Sequence, residues 1–148
     1  MKTLTPPTPG KKTGQRQNAK SKASLRSANE LIKVIQDGMG FGELEALRAH
    51  LGLPLDRLAG KLGIARATLH RRKAAGRLAP DESEKVHRFA HLFELAKTVF
   101  DGEEAARQWL SFPQFGLGGV VPLDYARTEV GGREVESLLQ RIEHGVYS

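Results

Sequence analysis

The segment from Leu55 to Leu78, LDRLAGKLGIARATLHRRKAAGRL, constrains the fold of this chain more than any other part. Its first half repeats apolar residues at the three- and four-residue steps that put side chains on one face of a helix: Leu55, Leu58, Ala59 and Leu62. Gly63 follows where the chain must turn with a positive φ, which glycine adopts without steric cost. Ile64 and Leu69 then close a small core, so the pattern predicts a helix-turn-helix.

Outside its apolar face, the second predicted helix carries mainly polar and basic residues. Its candidate DNA-contacting residues are Arg66, Thr68, His70, Arg71, Arg72 and Lys73. A helix in the major groove lies between two phosphate backbones and needs such a surface. We expect the first four to face base edges or phosphates, and the last two, with Arg77, to hold mainly phosphates. The alternative is an amphipathic helix pair whose charges are merely solvated.

One position departs from the usual pattern of this motif. Three places after Leu69, where an apolar residue usually recurs, the chain has Arg72. We expect the stem of Arg72 to pack against the core while its guanidinium leaves it, as long cationic side chains often do.

The net charge of +6 is divided unevenly along the sequence. Residues 1–29 carry seven cations and no acid, residues 55–78 carry seven cations and one acid, and residues 79–148 carry seven cations and twelve acids. The middle therefore suits nucleic acid and the acidic carboxy-terminal part suits another partner. Residues 1–28 have almost nothing to bury and are expected to be a disordered basic tail, either a phosphate-touching arm or a solvated segment.

Composition argues against several functions. The absence of cysteine excludes disulfides, thiolate metal sites and a cysteine nucleophile, and favours a cytoplasmic protein. No apolar run is long enough to span a membrane, so no membrane partner is expected. His87 and His91 lie one helical turn apart, but Arg88 follows the first and no third ligand is nearby in sequence. We predict no metal, no cofactor and no enzymatic activity.

Apolar periodicity predicts an all-α fold with a helix-turn-helix domain at 29–80 and a small helical domain at 81–148. A helix beginning at Pro80 carries an apolar seam at coiled-coil spacing, formed by Val86, Phe89, Phe93, Ala96 and Phe100. Asp101 and Glu104 suggest a capping box for the next helix. A glycine-rich loop from Phe112 to Gly119 precedes predicted helices at 122–127 and 133–144.

The region from Asp81 to Ser148 resembles the toxin-binding domain of Xre/MbcA/ParS-type antitoxins. The matching sequence segments are VFDGEEAARQWL at 99–110, the F-P-x-x-G-L-G-G loop at 112–119, Pro122-Leu123 and VESLLQRIEHGVYS at 135–148. With RRKAAGRLAPDES at 71–83, the resemblance covers roughly residues 45–148. It implies a type II antitoxin that is encoded beside an NAD-consuming RES-domain toxin and that binds the promoter DNA of its own operon.

The resemblance also implies which residues block the toxin's active site. They are the terminal residues and the helix end before them: Arg141, His144, Gly145, Val146, Tyr147 and Ser148. An aromatic ring followed by a terminal carboxylate fits a site built for a charged dinucleotide. The alternative function is a stand-alone helix-turn-helix regulator whose carboxy-terminal half senses a ligand or partner.

A homodimer is expected, because one helix-turn-helix buries little area and operators read by this motif are usually two-fold. Two surfaces are candidates for the contact. One is the seam of Val86, Phe89, Phe93 and Phe100, and the other is the face of Leu138 and Ile142.

Overall fold

A computed structural model describes residues 27–145 of the chain. Helix α1 spans residues 27–37. The others are α2 (Phe41–Leu51), α3 (Leu55–Lys61), α4 (Arg66–Ala75), α5 (Pro80–Phe100), α6 (Glu103–Ser111), α7 (Pro122–Tyr125) and α8 (Glu129–Glu143), with a 3-10 turn at Phe115–Leu117. Over these residues the only β pairing is two isolated bridges, Gly40 with Arg77 and Gln114 with Val120. The predicted all-α fold is confirmed.

The chain divides into two units between residues 36 and 37. In the first, the described part is helical, and residues 27 and 28, predicted to be disordered, belong to α1. The remaining residues of the predicted tail, 1–26, lie outside the described part. The second unit, from Asp37 onward, contains both sides of the predicted domain boundary at residues 80 and 81. Helix α5 links them because it packs against α2, α6 and α8.

The apolar seam of α5 is the centre of this second unit. Val86, Phe89, Phe93 and Ala96 are each at most 2% exposed within the single chain. The seam was predicted to pack either within one chain or between two, and the structure shows the first. The buried members of the seam therefore cannot supply a dimer contact. Phe100 at the end of the seam is half-buried and still reaches solvent, as do Leu138 and Ile142 of the other predicted surface.

The junction of α5 and α6 differs from the predicted capping box. Asp101 is the C-cap of α5, in the left-handed region with φ of 54°. Gly102 stands at the N-cap of α6, and no side chain caps that helix. The prediction was wrong because the acid in this sequence ends one helix instead of beginning the next.

Helix α8 begins at Glu129, four residues before the predicted start at Arg133. Gly131 and Gly132 were predicted to precede the helix, but both are buried in its first turns. Thr128 caps this end by accepting a hydrogen bond of 3.0 Å from the Gly131 amide. A Cβ on Gly131 would lie 1.7 Å from the carbonyl oxygen of Tyr125, so these glycines allow α8 to approach α7 closely.

Candidate functional site

Helices α3 and α4 form the predicted helix-turn-helix. Gly63 has φ of 73° in the turn, as its position predicted. The amide of Ile64 donates to the carbonyl of Ala59 over 2.8 Å and closes the turn. Most of the predicted apolar residues of this motif are buried: Leu58, Ala59, Leu62, Ile64 and Leu69. Leu55, at the start of α3, is half-buried.

Most of the predicted DNA-contacting side chains form one basic surface on α4. Arg66, His70, Arg71 and Lys73 are exposed. Thr68 is half-buried and accepts a hydrogen bond of 3.2 Å from Arg71. No side chain caps the amino end of α4, so its first amides and the positive end of its dipole are open to an anion.

Arg66 stands in the first turn of α4 and is 80% exposed. Its guanidinium lies 3.5 Å from the Asp56 carboxylate of α3. An ion pair this exposed contributes little to stability and is readily exchanged for a phosphate or a base edge. Arg66 is therefore free to act in binding.

The Arg72 side chain, unlike the exposed cations next to it on α4, pairs with a buried acid. Its Nε donates over 2.8 Å to Glu82 Oε1, and the Glu82 side chain is only 9% exposed. The same carboxylate oxygen accepts from the Ala79 amide over 2.7 Å at the start of α5. The expectation that the guanidinium leaves the core was wrong, because a buried carboxylate retains it where the motif usually has an apolar contact.

Arg77 lies where the chain leaves α4, next to the start of the unit. Its guanidinium donates over 3.0 Å to the carbonyl of Asp37. Beside it, the Leu78 amide donates to the carbonyl of Met39 over 2.8 Å, and the Phe41 amide donates to Gly76 over 2.9 Å. These bonds fix the carboxyl end of α4 to the segment before α2, and Arg77 remains exposed above them.

Two contacts with the carboxy-terminal part of the chain also hold the helix-turn-helix in place. Lys61 at the end of α3 pairs with Asp124 of α7 over 2.8 Å. Lys85 of α5 donates over 3.2 Å to the carbonyl of Leu62 in the turn. Sequence reasoning missed both contacts, because nothing in the local pattern relates residues so far apart.

His87 and His91 line a cavity of about 210 Å³ between α5 and α8. Their ring centroids lie 6.3 Å apart. Within residues 27–145 no group of three or more histidine, cysteine, aspartate or glutamate side chains is placed to hold a metal ion. Burial, reinforced by the neighbouring His91, lowers the pKa of His87 from its usual 6.5, and Glu84 opposes this shift.

Stability should fall as the pH drops below about 6.5, because the unfolded chain then binds a proton at residue 87 that the folded chain resists. The contribution of His87 is present above its unfolded pKa and is lost through the window between that value and the lowered folded pKa. His87→Gln should flatten this part of the pH profile of urea unfolding. His70→Gln on exposed α4 is the control, and an unchanged slope in His87→Gln would contradict the assignment.

The carboxyl end of α8 carries the described part of the predicted toxin-blocking set. Arg141 and His144 lie at this end, and Gly145 turns the chain with φ of 70°. Arg141 is half-buried, and its Nε meets no hydrogen-bond acceptor among the described residues. Val146, Tyr147 and Ser148 lie outside the described part of the chain.

The loop between α6 and α7 exposes three apolar side chains that were not predicted as site residues. Phe112, Phe115 and Val120 are 61%, 96% and 39% exposed. The sequence signal was available, since two phenylalanines stand in a loop without a helical or strand period that would bury them.

Two family descriptions match adjacent parts of the chain. Residues 30–91 match the antitoxin Xre-like helix-turn-helix domain. Residues 95–145 match the antitoxin Xre/MbcA/ParS C-terminal toxin-binding domain. A protein named Antitoxin Xre, from Yersinia enterocolitica, is 33% identical over 120 residues, which cover 80% of this chain and 81% of the relative.

This chain belongs to the Xre antitoxin family.

Further relatives agree with this membership. An Antitoxin Xre from Photorhabdus laumondii is 37% identical over 119 residues, covering 80% of this chain and 73% of the relative. A protein named Prs ADP-ribosylating antitoxin, from a Sphingobium species, is 29% identical over 127 residues, covering 79% and 80%. The chain is therefore an antitoxin of the Xre family, with a DNA-binding motif and a domain whose partner is a toxin. None of its described helices combines the length and apolarity needed to cross a membrane.

Proposed function

We propose that this Xre-family antitoxin neutralises a RES-domain toxin that consumes NAD, and that it represses its own operon by binding promoter DNA as a homodimer in the cytoplasm. Membership of the family, with a helix-turn-helix next to a toxin-binding domain, is the observation that carries the proposal. The name of the Sphingobium relative refers to ADP-ribosylation, and the usual donor of an ADP-ribosyl group is NAD.

The DNA-binding half of the proposal rests on the α4 surface. Its exposed cations stand on the second helix of a helix-turn-helix, which is the helix that enters the major groove in this motif. Arg66, Thr68, His70 and Arg71 are the candidates for base or phosphate contacts. Lys73 and Arg77 are placed farther along, toward the exit of the helix, where phosphate contacts are expected.

Arg66→Ala should weaken binding to the promoter of the operon by about 1–3 kcal/mol if the side chain reads a base. The fold should be unaffected, because the side chain is exposed. Fluorescence anisotropy with promoter DNA and a scrambled duplex at one salt concentration measures the effect. Arg133→Ala removes an exposed charge from α8 and serves as the control. Equal operator affinity in the Arg66 variant and the parent would refute the assignment.

The toxin-blocking half of the proposal concerns the end of α8 and the residues after it. Arg141 and His144 would guide the chain at the mouth of the toxin's active site, and Gly145 to Ser148 would enter it and exclude NAD. Tyr147 is the natural anchor, since an aromatic ring buries a large area at small cost in conformational entropy.

Deleting Val146, Tyr147 and Ser148 should restore NAD consumption by the toxin and leave promoter binding unchanged. The deletion removes no part of the described apolar core, which ends within α8. Tyr147→Ala should be the most harmful single change, with a loss of about ten-fold or more in inhibitory potency, whereas Tyr147→Phe keeps the ring.

The assay is NAD consumption by the toxin in the presence of excess antitoxin. A chain lacking residues 1–26 is the matched truncation and should inhibit as well as the full chain. Full inhibition by the chain lacking 146–148 would show that neutralisation works in another way, by covering a different surface or by holding the toxin in an inactive assembly.

A further inference from the structure

The loop between α6 and α7 is held rigidly by its own hydrogen bonds. The Gln114 side chain donates to the carbonyl of Trp109 over 2.9 Å and to that of Phe112 over 3.2 Å. The Gln114 amide donates to Val120 over 3.2 Å, and the carbonyl of Gln114 accepts from Gly119 over 2.9 Å. We call residues 112–120 the aromatic loop.

The aromatic loop carries an exposed apolar side chain on a hydrogen-bonded backbone, and this side chain takes no part in the core. Phe115 is 96% exposed, although the turn that carries it is closed by the Gly118 amide, which donates to the carbonyl of Phe115 over 3.0 Å. A hydrogen-bonded loop loses less backbone entropy on binding than a flexible one, and an aromatic side chain on it can bury about 150–250 Å² in a partner's pocket. Phe112 and Val120 in the same loop are also exposed apolar residues.

The chemistry of the aromatic loop selects the class of partner. The loop contains no charged residue, whereas the cores of protein interfaces are depleted of charge and enriched in aromatic residues. Nucleic acid is a poor occupant because the loop offers no cation to its phosphates. The occupant is therefore a protein surface with an apolar pocket.

A second copy of this chain does not offer a suitable pocket in its main described cavities. The cavity between α5 and α8 is lined by ionisable side chains, including Glu84, His87 and Glu136. The cavity between α2 and α6 contains Glu104, Arg107 and Gln108. Burying a phenylalanine in either would desolvate these polar groups without satisfying them.

The position of the aromatic loop connects it to the proposed toxin-blocking end of the chain. A Cβ on Gly116 would lie 2.9 Å from both Cδ atoms of Leu138, so the loop rests directly on α8. Gly145 follows Leu138 by only seven positions, a rise of about 10 Å along a helix. A protein that receives the residues after Gly145 therefore lies within reach of Phe115.

We propose that Phe115, flanked by Phe112 and Val120, is an aromatic anchor that docks the toxin at a surface separate from its active site. This inference rests on the proposed function, because the occupant is the same toxin that the terminal residues block. The aromatic loop supplies affinity, and the terminal residues supply inhibition. Docking and blocking are then two separable contacts on one partner.

The test uses purified full-length antitoxin and the purified protein encoded beside it, with binding measured by titration calorimetry. Phe115→Ala should weaken binding about ten-fold or more, both in the full chain and in the chain lacking residues 146–148. Phe115→Leu, which keeps an apolar side chain, should recover part of the affinity. Val130→Ala, at a 71% exposed valine of α8, should bind like the parent chain.

Each outcome has a distinct meaning. Unchanged toxin binding by Phe115→Ala, with circular dichroism equal to that of the parent, overturns the anchor while the proposed function stands. If sedimentation shows that Phe115→Ala loses self-association and retains toxin affinity, the occupant is a second copy and the inference is wrong. If the parent chain itself does not bind the neighbouring protein, the proposed function fails first.

Discussion

Gly131→Ala should destabilise the unit from Asp37 onward by about 3 kcal/mol, although alanine is the better helix former by about 1 kcal/mol. The reason is steric. The added Cβ would lie 1.7 Å from the Tyr125 carbonyl oxygen and 2.8 Å from its carbon, and neither atom can move without displacing α7. The first turn of α8 and its Thr128 cap would have to shift away from α7.

Two other glycines provide graded controls for this prediction. Gly132→Ala places a Cβ 2.7 Å from Cδ of Arg88, a flexible side chain that can move aside, so a smaller loss is expected. Gly60→Ala in α3 meets nothing within 4 Å and should be neutral or stabilising by about 0.5–1 kcal/mol. Urea unfolding followed by circular dichroism gives the three values. A Gly131 variant as stable as the Gly60 variant would show that α7 and α8 are not packed in this way.

Arg72→Leu should cost about 2–3 kcal/mol of folding free energy, a figure reduced from the full cost of breaking a buried pair because the Arg72 side chain is 33% exposed. The loss arises from Glu82, which keeps a buried charge with only the Ala79 amide as a described partner. Arg71→Leu on the exposed side of α4 should have little effect.

The double variant Arg72→Leu, Glu82→Gln distinguishes this explanation from a simple loss of packing. Glutamine can still accept from the Ala79 amide but carries no charge, so most of the lost stability should return. Equilibrium unfolding of the two single variants and the double variant yields the coupling free energy. Additive losses would contradict the buried pair.

Because Arg72 variants are expected to be less stable, their DNA binding must be measured on protein shown to be folded.

The dimer proposed for operator binding now has fewer candidate surfaces. The α5 seam has the spacing of a coiled coil, but most of its side chains are buried within one chain, where α5 packs against α2, α6 and α8. Periodicity alone could not distinguish an internal seam from an intermolecular one, since both need the same apolar stripe. Leu138, which forms the other predicted contact together with Ile142, already supports the aromatic loop through Gly116.

The sequence by itself determined the elements whose signals are local. The helix-turn-helix followed from apolar spacing and from Gly63, whose φ of 73° is a property of one residue in one turn. The helix from Pro80 was predictable for the same reason, because an amphipathic period and a helix-starting proline act over a few residues. The exposed cations of α4 followed because they alternate with that apolar pattern.

Only the tertiary structure decided the features that depend on contacts between distant residues. Gly131 and Gly132 suggest a loop by propensity, yet they are helical because α8 must approach the carbonyl of Tyr125 and the side chain of Arg88. Arg72 looked like a surface cation until the fold brought Glu82 of the next helix against it. In both cases the energy that decides comes from close packing or from a buried charge, which no local pattern of residues specifies.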